Sequence, residues 1–149
     1  MIEIYTDGSC WPNPSADASW AFVAYENGRE IFATSGRAEG HTTGNRMELT
    51  AMLRALMWLG DRPGRVYSDS TYVVDGVNLW CRAWQRRQWQ RRDKATGTMQ
   101  PVKHADLWQV LLIAKMPHHT IAWVKGHAGV EGNERADQLA EAARIGVSA

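Results

Sequence analysis

Ionisable residues with catalytic potential stand at the ends of several predicted strands in this chain of 149 residues. Asp7 and Asp69 each follow a short predicted strand, and His127 follows the last one. Glu48 falls in the first turn of a predicted helix, and Asp137 borders the apolar stripe of the C-terminal helix. Because ligands bind at the carboxyl ends of strands in open α/β sheets, these five residues are predicted to form one site.

Four carboxylates at one edge of a sheet repel one another unless cations neutralise them. Oxygen ligands with several open coordination positions suit Mg²⁺ or Mn²⁺. Such a group can hold two ions about 4 Å apart, which activate a water molecule and stabilise the leaving oxygen of a phosphodiester. Brought together, Asp7, Glu48, Asp69 and Asp137 would therefore suit metal-assisted hydrolysis, and the spacing by itself suggests such a site without establishing it.

A purely structural interpretation of the first three carboxylates stays open. Asn45 and Glu48 have the spacing of a helix capping box, in which the glutamate satisfies backbone amides. Asp7 and Asp69 stand next to small residues, where aspartate commonly forms turns.

The remaining ionisable residues also have ordinary interpretations. Asp137 alone is typical of a solvated helix charge, and His127 of a loop histidine. The pair His118 and His119 resembles a metal-binding pair, but adjacent side chains diverge along a strand. We therefore predict that both histidines lie on the surface.

The pattern of apolar residues predicts the elements that must position this site. Alternation in residues 2–7 and an Asn-Gly turn between two apolar runs, 20–25 and 30–34, predict a three-stranded antiparallel meander. Helical spacing follows from Arg46 to Gly60, where Asn45 is the candidate cap. Further strands are predicted at 65–68 and 120–124, and helices at 71–88, 105–115 and 131–144. This order, βββαβααβα, predicts a single α/β domain over residues 1–149, with a mixed five-stranded sheet (the antiparallel meander plus parallel strands) flanked by helices.

Composition bounds the class of protein. With 22% charged and 44% hydrophobic residues, the chain has the composition of a globular domain. Two cysteines are too few for a disulfide framework, and the start of the sequence has neither a signal peptide nor a membrane span. We therefore expect a cytoplasmic protein that does not bind membranes. The net charge of +1 at first argues against a nucleic-acid partner.

The distribution of charge reverses that argument. Residues 80–94, called here the basic arm, contain six basic residues and one acid, a net charge of +5, so the rest of the chain carries −4. Trp80, Trp84 and Trp89 lie among these charges. Basic residues interleaved with aromatic ones are suited to phosphates and sugar faces. The alternative is that the tryptophans anchor the arm, and for Trp80 we expect packing against its own helix.

Five groups of residues recur in one order along nearly the whole chain. They are TDGSC at 6–10 with Asn13-Pro14, NRMEL at 45–49, SDS at 68–70 with Tyr72-Val73, DLW at 106–108, and WVKGHAG at 123–129 with NERAD at 133–137. Together they resemble the motifs of the type 1 ribonuclease H family, in its bacterial ribonuclease HI branch.

This resemblance implies an endoribonuclease that hydrolyses the RNA strand of RNA–DNA hybrids with two Mg²⁺ ions, for which Mn²⁺ is a substitute, leaving 5′-phosphate and 3′-hydroxyl ends. It implies that Asp7, Glu48, Asp69 and Asp137 are the metal ligands, with Asp7 bridging both ions. His127 would assist proton transfer or product departure. A monomer without a protein partner is expected.

The resemblance also implies two groups of substrate-binding residues. The sugar-phosphate backbone would contact Asn13, Thr43, Asn45 and Asn133. The DNA strand would contact the basic arm, through Trp80, Trp84, Arg86, Arg87, Trp89, Arg91 and Arg92. The family usually has a glycine-rich loop where this chain has residues 15–20, and Asp17 places a negative charge there. We therefore expect weaker substrate binding or altered site preference.

Two alternatives differ in class. A binding module that recognises hybrids without cleaving them would lack at least one of the four carboxylates, and all four are present. Another nuclease of ribonuclease H-like fold, such as a junction resolvase or an integrase core, is disfavoured by the loop at His127 and by the basic arm.

Overall fold

A mixed five-stranded sheet forms the centre of the computed structural model, which describes residues 1–147. Its strands follow the order β3-β2-β1-β4-β7, and a separate two-stranded sheet joins β5 and β6. The elements are β1 (Ile2–Cys10), β2 (Ala18–Glu26), β3 (Arg29–Arg37), α1 (Gly44–Leu59), β4 (Gly64–Ser68), α2 (Thr71–Asp75), a π-helical turn (Gly76–Trp80), α3 (Cys81–Arg86), β5 (Gln90–Arg92), β6 (Met99–Pro101), α4 (Ala105–Ala114), β7 (His119–Trp123) and α5 (Glu131–Ile145). Among residues 1–147, no helix has the length and apolar character needed to cross a membrane.

The predicted meander and the parallel strands are confirmed. β1 pairs antiparallel with β2, and β2 with β3. The β2–β3 turn has positive φ at Asn27 (52°) and Gly28 (77°), as the Asn-Gly pair predicts. β4 pairs parallel with β1 on one side and with β7 on the other.

The two faces of β1 account for the layers above and below the sheet. Ile2 and Ile4 belong to the buried core cluster together with Leu49 and Leu56 of α1. Tyr5 lies on the opposite face, against Gly132 of α5. The Ser19 hydroxyl on β2 donates a hydrogen bond to the Ala140 carbonyl, which fixes α5 on this second face. The sheet is therefore covered by helices on both sides.

Helix α1 begins two residues earlier than the capping-box interpretation requires. Its N-cap is Thr43, whose Oγ1 accepts a hydrogen bond from the Arg46 amide at 3.2 Å. The interpretation of Asn45 as the cap is therefore wrong, and Glu48 is free for another role. The helix ends before Gly60, at φ 61°, as predicted.

The segment predicted as one helix over 71–88 is divided into three. Helix α2 runs into the π-helical turn that begins at Gly76, and α3 follows. The indole of Trp108 lies against Gly76, where an added Cβ would come within 2.0 Å of the ring. The indole N–H donates to the Tyr72 hydroxyl at 3.2 Å. Beyond α3, between the two predicted helices, the chain forms the short β5–β6 hairpin.

The prediction that both adjacent histidines lie on the surface is wrong for His119. Its side chain is buried, while His118 is exposed. The His119 Nδ1 accepts from the Met116 amide at 3.0 Å, and Nε2 lies 3.0 Å from the Arg62 carbonyl. The ring therefore joins the start of β7 to the loop before β4.

Replacing Gly76 with alanine is expected to destabilise the fold, because the new methyl group overlaps the buried Trp108 ring. Overpacking of a core typically costs about 1–3 kcal/mol. Urea unfolding of Gly76→Ala and of the control Gly40→Ala, which has no atom within 4 Å of the added Cβ, measures the difference. Equal midpoints for the two variants would contradict this account of the core.

Candidate active site

The register of two parallel strands brings the first two carboxylates together. Thr6 of β1 pairs with Ser68 of β4, so the next residues, Asp7 and Asp69, lie side by side at the carboxyl edge of the sheet. Oxygen atoms of Asp7, Glu48 and Asp69 all lie within 4.8 Å of one another. This group of three is called the carboxylate cluster below.

Glu48 reaches the cluster because α1 packs directly on β1. A Cβ on Gly8 would lie 2.6 Å from the Glu48 backbone nitrogen, so this close approach requires glycine. The Gly8 amide donates to Glu48 Oε1 at 2.9 Å, and the Ser68 hydroxyl donates to Oε2 at 3.5 Å. These contacts hold the Glu48 carboxylate toward the two aspartates instead of toward its own helix terminus.

Asp69 is oriented by residues from the last third of the chain. The buried side chain of Asn133 donates to Asp69 Oδ2 at 3.3 Å. The indole N–H of Trp123 donates to the Asp69 carbonyl at 3.2 Å. Gly126 approaches so closely that a Cβ would lie 2.8 Å from Oδ2. Asn133, predicted to bind substrate, thus has its amide engaged with a cluster member.

The other two predicted site residues lie outside the group of three. Asp137 on α5 comes within hydrogen-bonding reach of Asp7, a contact that raises the pKa of Asp7. His127 is exposed in the loop between β7 and α5, with φ 53°, next to the Gly126 that contacts Asp69. The structure therefore brings Asp137 to the cluster and His127 to an adjoining loop.

Burial strongly changes the acidity of the cluster. Loss of hydration, followed by the negative charge of Glu48, raises the pKa of Asp7 to about 11. Loss of hydration also raises the pKa of Glu48 to about 7, with Asp69 adding to the effect. Without a cation the cluster therefore retains protons near neutral pH. A divalent ion removes the same repulsion, so the donor set fits a metal that is bound through oxygen.

A cleft at the start of α1 is lined by three of the four predicted backbone-binding residues. It has a volume of about 560 Å³ and is lined by Asn13, Thr43, Asn45, Lys103 and His104. A second cavity, of about 200 Å³, shares three of these residues and extends to the arm: it is lined by Asn45, Tyr72, Trp84, Arg91, Val102, Lys103 and His104. Polar and basic groups thus run from the sheet edge to the basic arm.

Lys103 and His104 were missed by the sequence reasoning. They lie three and two residues before Asp106, the first residue of the Asp106-Leu107-Trp108 motif, and that proximity is the signal that could have identified them. Asp106 holds the Arg46 guanidinium through two contacts, at 3.0 and 2.7 Å. The His104 Nδ1 lies 3.3 Å from the same guanidinium, which places the start of α4 beside the start of α1.

Two tryptophans of the basic arm pack against the core, and the third is partly exposed. Trp84 and Trp89 pack against the core, and the Trp84 ring lies 5.4 Å from that of Trp108. Trp80 packs against Tyr72 and Trp84, as expected, and 38% of its surface also stays exposed. The arginines of the arm are exposed: Arg82, Arg86, Arg87, Arg91 and Arg92.

In the loop at residues 11–17, the negative charge of Asp17 is paired, although it was expected to weaken substrate binding. Asp17 lies 3.3 Å from an Arg37 nitrogen and 3.5 Å from an Arg144 nitrogen. Arg37 also donates to the Arg144 carbonyl. Two guanidinium groups thus pair with the carboxylate that was expected to repel phosphates. They hold this carboxylate toward the end of α5.

Asn13, in the same loop, contacts the start of α1. The Asn13 Oδ1 accepts from the Gly44 amide at 3.1 Å. An added Cβ at Gly44 would come within 3.1 Å of the Asn13 amide nitrogen. Glycine at this position therefore lets the loop lie close to the helix.

Comparison with known proteins agrees with this geometry. The family model for RNase H matches residues 1–145. The chain is 45% identical over 144 residues to Ribonuclease H of Chromobacterium violaceum, covering 93% of this chain and 91% of that protein. It is 46% identical over 144 residues to Ribonuclease HI of Brucella melitensis, covering 95% and 88%.

A solved structure has the same fold. The crystal structure of LC9-RNase H1, a type 1 RNase H with the type 2 active-site motif, superposes with a TM-score of 0.79 at 28% identity, covering 99% of this chain and 73% of that one. Sequence motifs, sheet order, carboxylate cluster and relatives all agree, and the chain belongs to the ribonuclease H family.

Proposed function

We propose that this enzyme hydrolyses the RNA strand of RNA–DNA hybrids by a two-metal-ion mechanism, leaving 5′-phosphate and 3′-hydroxyl ends. The observation that carries the proposal is the carboxylate cluster, whose oxygens lie within 4.8 Å of one another at the sheet edge. Family membership supports the substrate class and the use of divalent metal. Mg²⁺ is the proposed ion, with Mn²⁺ as a substitute, because the ligands are hard oxygen donors.

Four carboxylates are the proposed ligands. Asp7 has Glu48, Asp69 and Asp137 as neighbours, so it would contribute to holding both ions. Bound divalent metal would supply an activated water molecule and would stabilise the leaving oxygen of the phosphodiester. The chain supplies the orientation: the Gly8 amide holds Glu48, and the Asn133 amide holds Asp69. His127, on the neighbouring exposed loop, is the proposed group for proton transfer or product departure.

The substrate is proposed to lie along the cleft that leads to the arm. Asn13, Thr43 and Asn45 line this cleft and offer polar groups to the sugar-phosphate backbone. The 2′-hydroxyl distinguishes RNA from DNA in the wide minor groove of a hybrid. Lys103 and His104 continue this surface toward Arg91. In this proposal Asn133 acts through Asp69 and not by direct substrate contact.

The exposed arginines of the basic arm are proposed to hold the DNA strand. They are Arg82, Arg86, Arg87, Arg91 and Arg92. Guanidinium groups form forked contacts with phosphates. Trp80 adds an exposed ring, while Trp84 and Trp89 support the arm from beneath.

We further propose that the chain acts as a single domain and as a monomer in the cytoplasm. Cys10 and Cys81 are free thiols, which fits a reducing compartment. All the proposed metal ligands come from one chain, which supports a monomer that acts without a protein partner.

One cleavage assay tests the proposed function. The enzyme is incubated with labelled RNA–DNA hybrid, double-stranded RNA or double-stranded DNA, each with Mg²⁺ or with a chelator. Cleavage of the RNA strand of the hybrid alone, and only with metal, is the expected result. Binding without cleavage would identify a hybrid-binding module, and cleavage of double-stranded DNA would identify a resolvase-like enzyme.

Replacing Asp7 with asparagine is expected to lower kcat for the hybrid at least a hundredfold, because a charged ligand at the reacting centre is lost. Single-turnover kinetics in Mg²⁺ measure the effect. Asp61→Asn, at an exposed loop position, is the matched control and keeps normal activity. Full magnesium-dependent cleavage by Asp7→Asn would refute the metal site.

The raised pKa values of Asp7 and Glu48 predict how the metal-free protein responds to pH. A carboxyl whose folded pKa exceeds its unfolded pKa, about 4, stabilises the fold most at low pH. That contribution declines as the pH rises above about 4. For Glu48 it is lost as the pH rises through the folded pKa of about 7. In chelator, the melting temperature is therefore expected to fall by several degrees between pH 5.5 and 8.5 relative to Asp7→Asn. Mg²⁺ should raise the wild-type melting temperature more at pH 8.5 than at pH 5.5, and the opposite order would contradict the assignment.

Replacing both Arg86 and Arg87 with alanine is expected to raise KM for the hybrid and leave kcat nearly unchanged. Each lost phosphate contact should reduce the slope of log affinity against log salt by about 0.7–0.9. Titrations from 50 to 200 mM KCl measure this slope. Arg29→Ala, an exposed arginine at the β2–β3 turn, is the control and retains the wild-type slope. An unchanged slope in the double variant would remove these two arginines from the substrate-binding surface.

A further inference from the structure

The proposed function leaves Trp11 without a role. Its side chain is 70% exposed, although it is the largest side chain of the loop at residues 11–17. An exposed indole keeps a large apolar area in water, a state that burial against a ligand would relieve. Trp11 is thus a candidate contact for whatever binds beside it.

Several contacts hold this loop in one conformation. The Trp11 amide donates to the Asp17 carbonyl at 3.0 Å. Ser15 and Thr42 exchange two backbone hydrogen bonds, at 3.0 and 2.8 Å. Pro12 and Pro14 each fix one φ angle. The backbone that carries the indole is thus ordered before binding, so only the side-chain rotamer has to be fixed when it binds.

The loop is also tied to the opposite face of the sheet and carries no uncompensated negative charge. Asp17 contacts Arg37 and Arg144, as described above. The Arg144 Nε also donates to the Ser9 hydroxyl at 2.9 Å. The surface around Trp11 therefore does not repel a polyanion through Asp17.

Its place on the chain puts Trp11 next to the proposed substrate path. It comes four residues after Asp7, a separation of at most about 13 Å along extended backbone. That is roughly four steps of a nucleic-acid duplex. Asn13, two residues further on, lines the proposed substrate cleft at the start of α1. A hybrid that contacts both Asp7 and Asn13 therefore lies within reach of Trp11.

We propose that the Trp11 indole packs against a sugar face of the hybrid in its minor groove, as a positioning contact beyond those of the cleft and the arm. This inference rests on the proposed function. The bases of a duplex are stacked on one another, so the groove offers sugars and base edges to a protein side chain. Full stacking of a base on an aromatic side chain is worth roughly 5- to 150-fold in affinity, and a sugar contact belongs at the lower end.

Steady-state kinetics of Trp11→Ala on a defined hybrid test the inference. We expect KM to rise about fivefold with kcat nearly unchanged, because the indole lies away from the reacting atoms. Trp11→Phe, which keeps an aromatic ring, should restore most of the affinity. Ile113→Ala, at a 78% exposed apolar position on α4, is the matched control and should leave KM unchanged.

Two further measurements separate binding from folding. Thermal unfolding should give the same melting temperature for Trp11→Ala and wild type, since little of the side chain is buried. In the Asp7→Asn background, hybrid affinity should fall by the same factor when Trp11 is replaced with alanine.

An unchanged KM, an equal loss in Trp11→Phe, or a fall in kcat alone would each overturn the inference while leaving the proposed function intact. If the wild type cleaves no hybrid, the proposed function fails first and the inference fails with it.

Discussion

Mutual repulsion among closely spaced carboxylates is the constraint that governs this structure. Asp7, Glu48 and Asp69 are held within 4.8 Å of one another, although burial and their own charges raise the pKa values of Asp7 and Glu48. The fold keeps them there by two close approaches: α1 onto Gly8, and the loop after β7 onto Asp69. The fold thus accepts a local electrostatic cost to keep the three carboxylates together.

The predictions from sequence succeeded where a structural feature depends on residues that are neighbours in the chain. Period-two alternation placed β1, the Asn-Gly pair placed the β2–β3 turn, and Gly60 marked the end of α1. The strand ends then indicated Asp7 and Asp69 as neighbours, which the parallel register of β1 and β4 confirms. The family motifs supplied the remaining candidates and the expectation of a hybrid nuclease.

The predictions failed where a distant partner decides the outcome. Nothing near Gly76 in the sequence indicates that the Trp108 indole lies against it, so the π-helical turn was not predicted. His119 was wrongly predicted to lie on the surface. Its ring contacts the Arg62 carbonyl and the Met116 amide, and these two groups come together only in the assembled sheet. The negative charge of Asp17 was expected to lie open to phosphates, whereas Arg37 of β3 and Arg144 of α5 pair with it.

Helix α5 connects the carboxyl edge of the sheet, where the carboxylate cluster lies, to the loop that carries Trp11. Asn133 in its first turn contacts Asp69, and Arg144 in its last turn contacts Asp17. The site is therefore unfinished on a growing polypeptide until this helix has been synthesised and docked. During translation, a chain lacking α5 has neither the partner that orients Asp69 nor one of the two anchors of Asp17, so this geometry delays the assembly of a nuclease until its fold is complete.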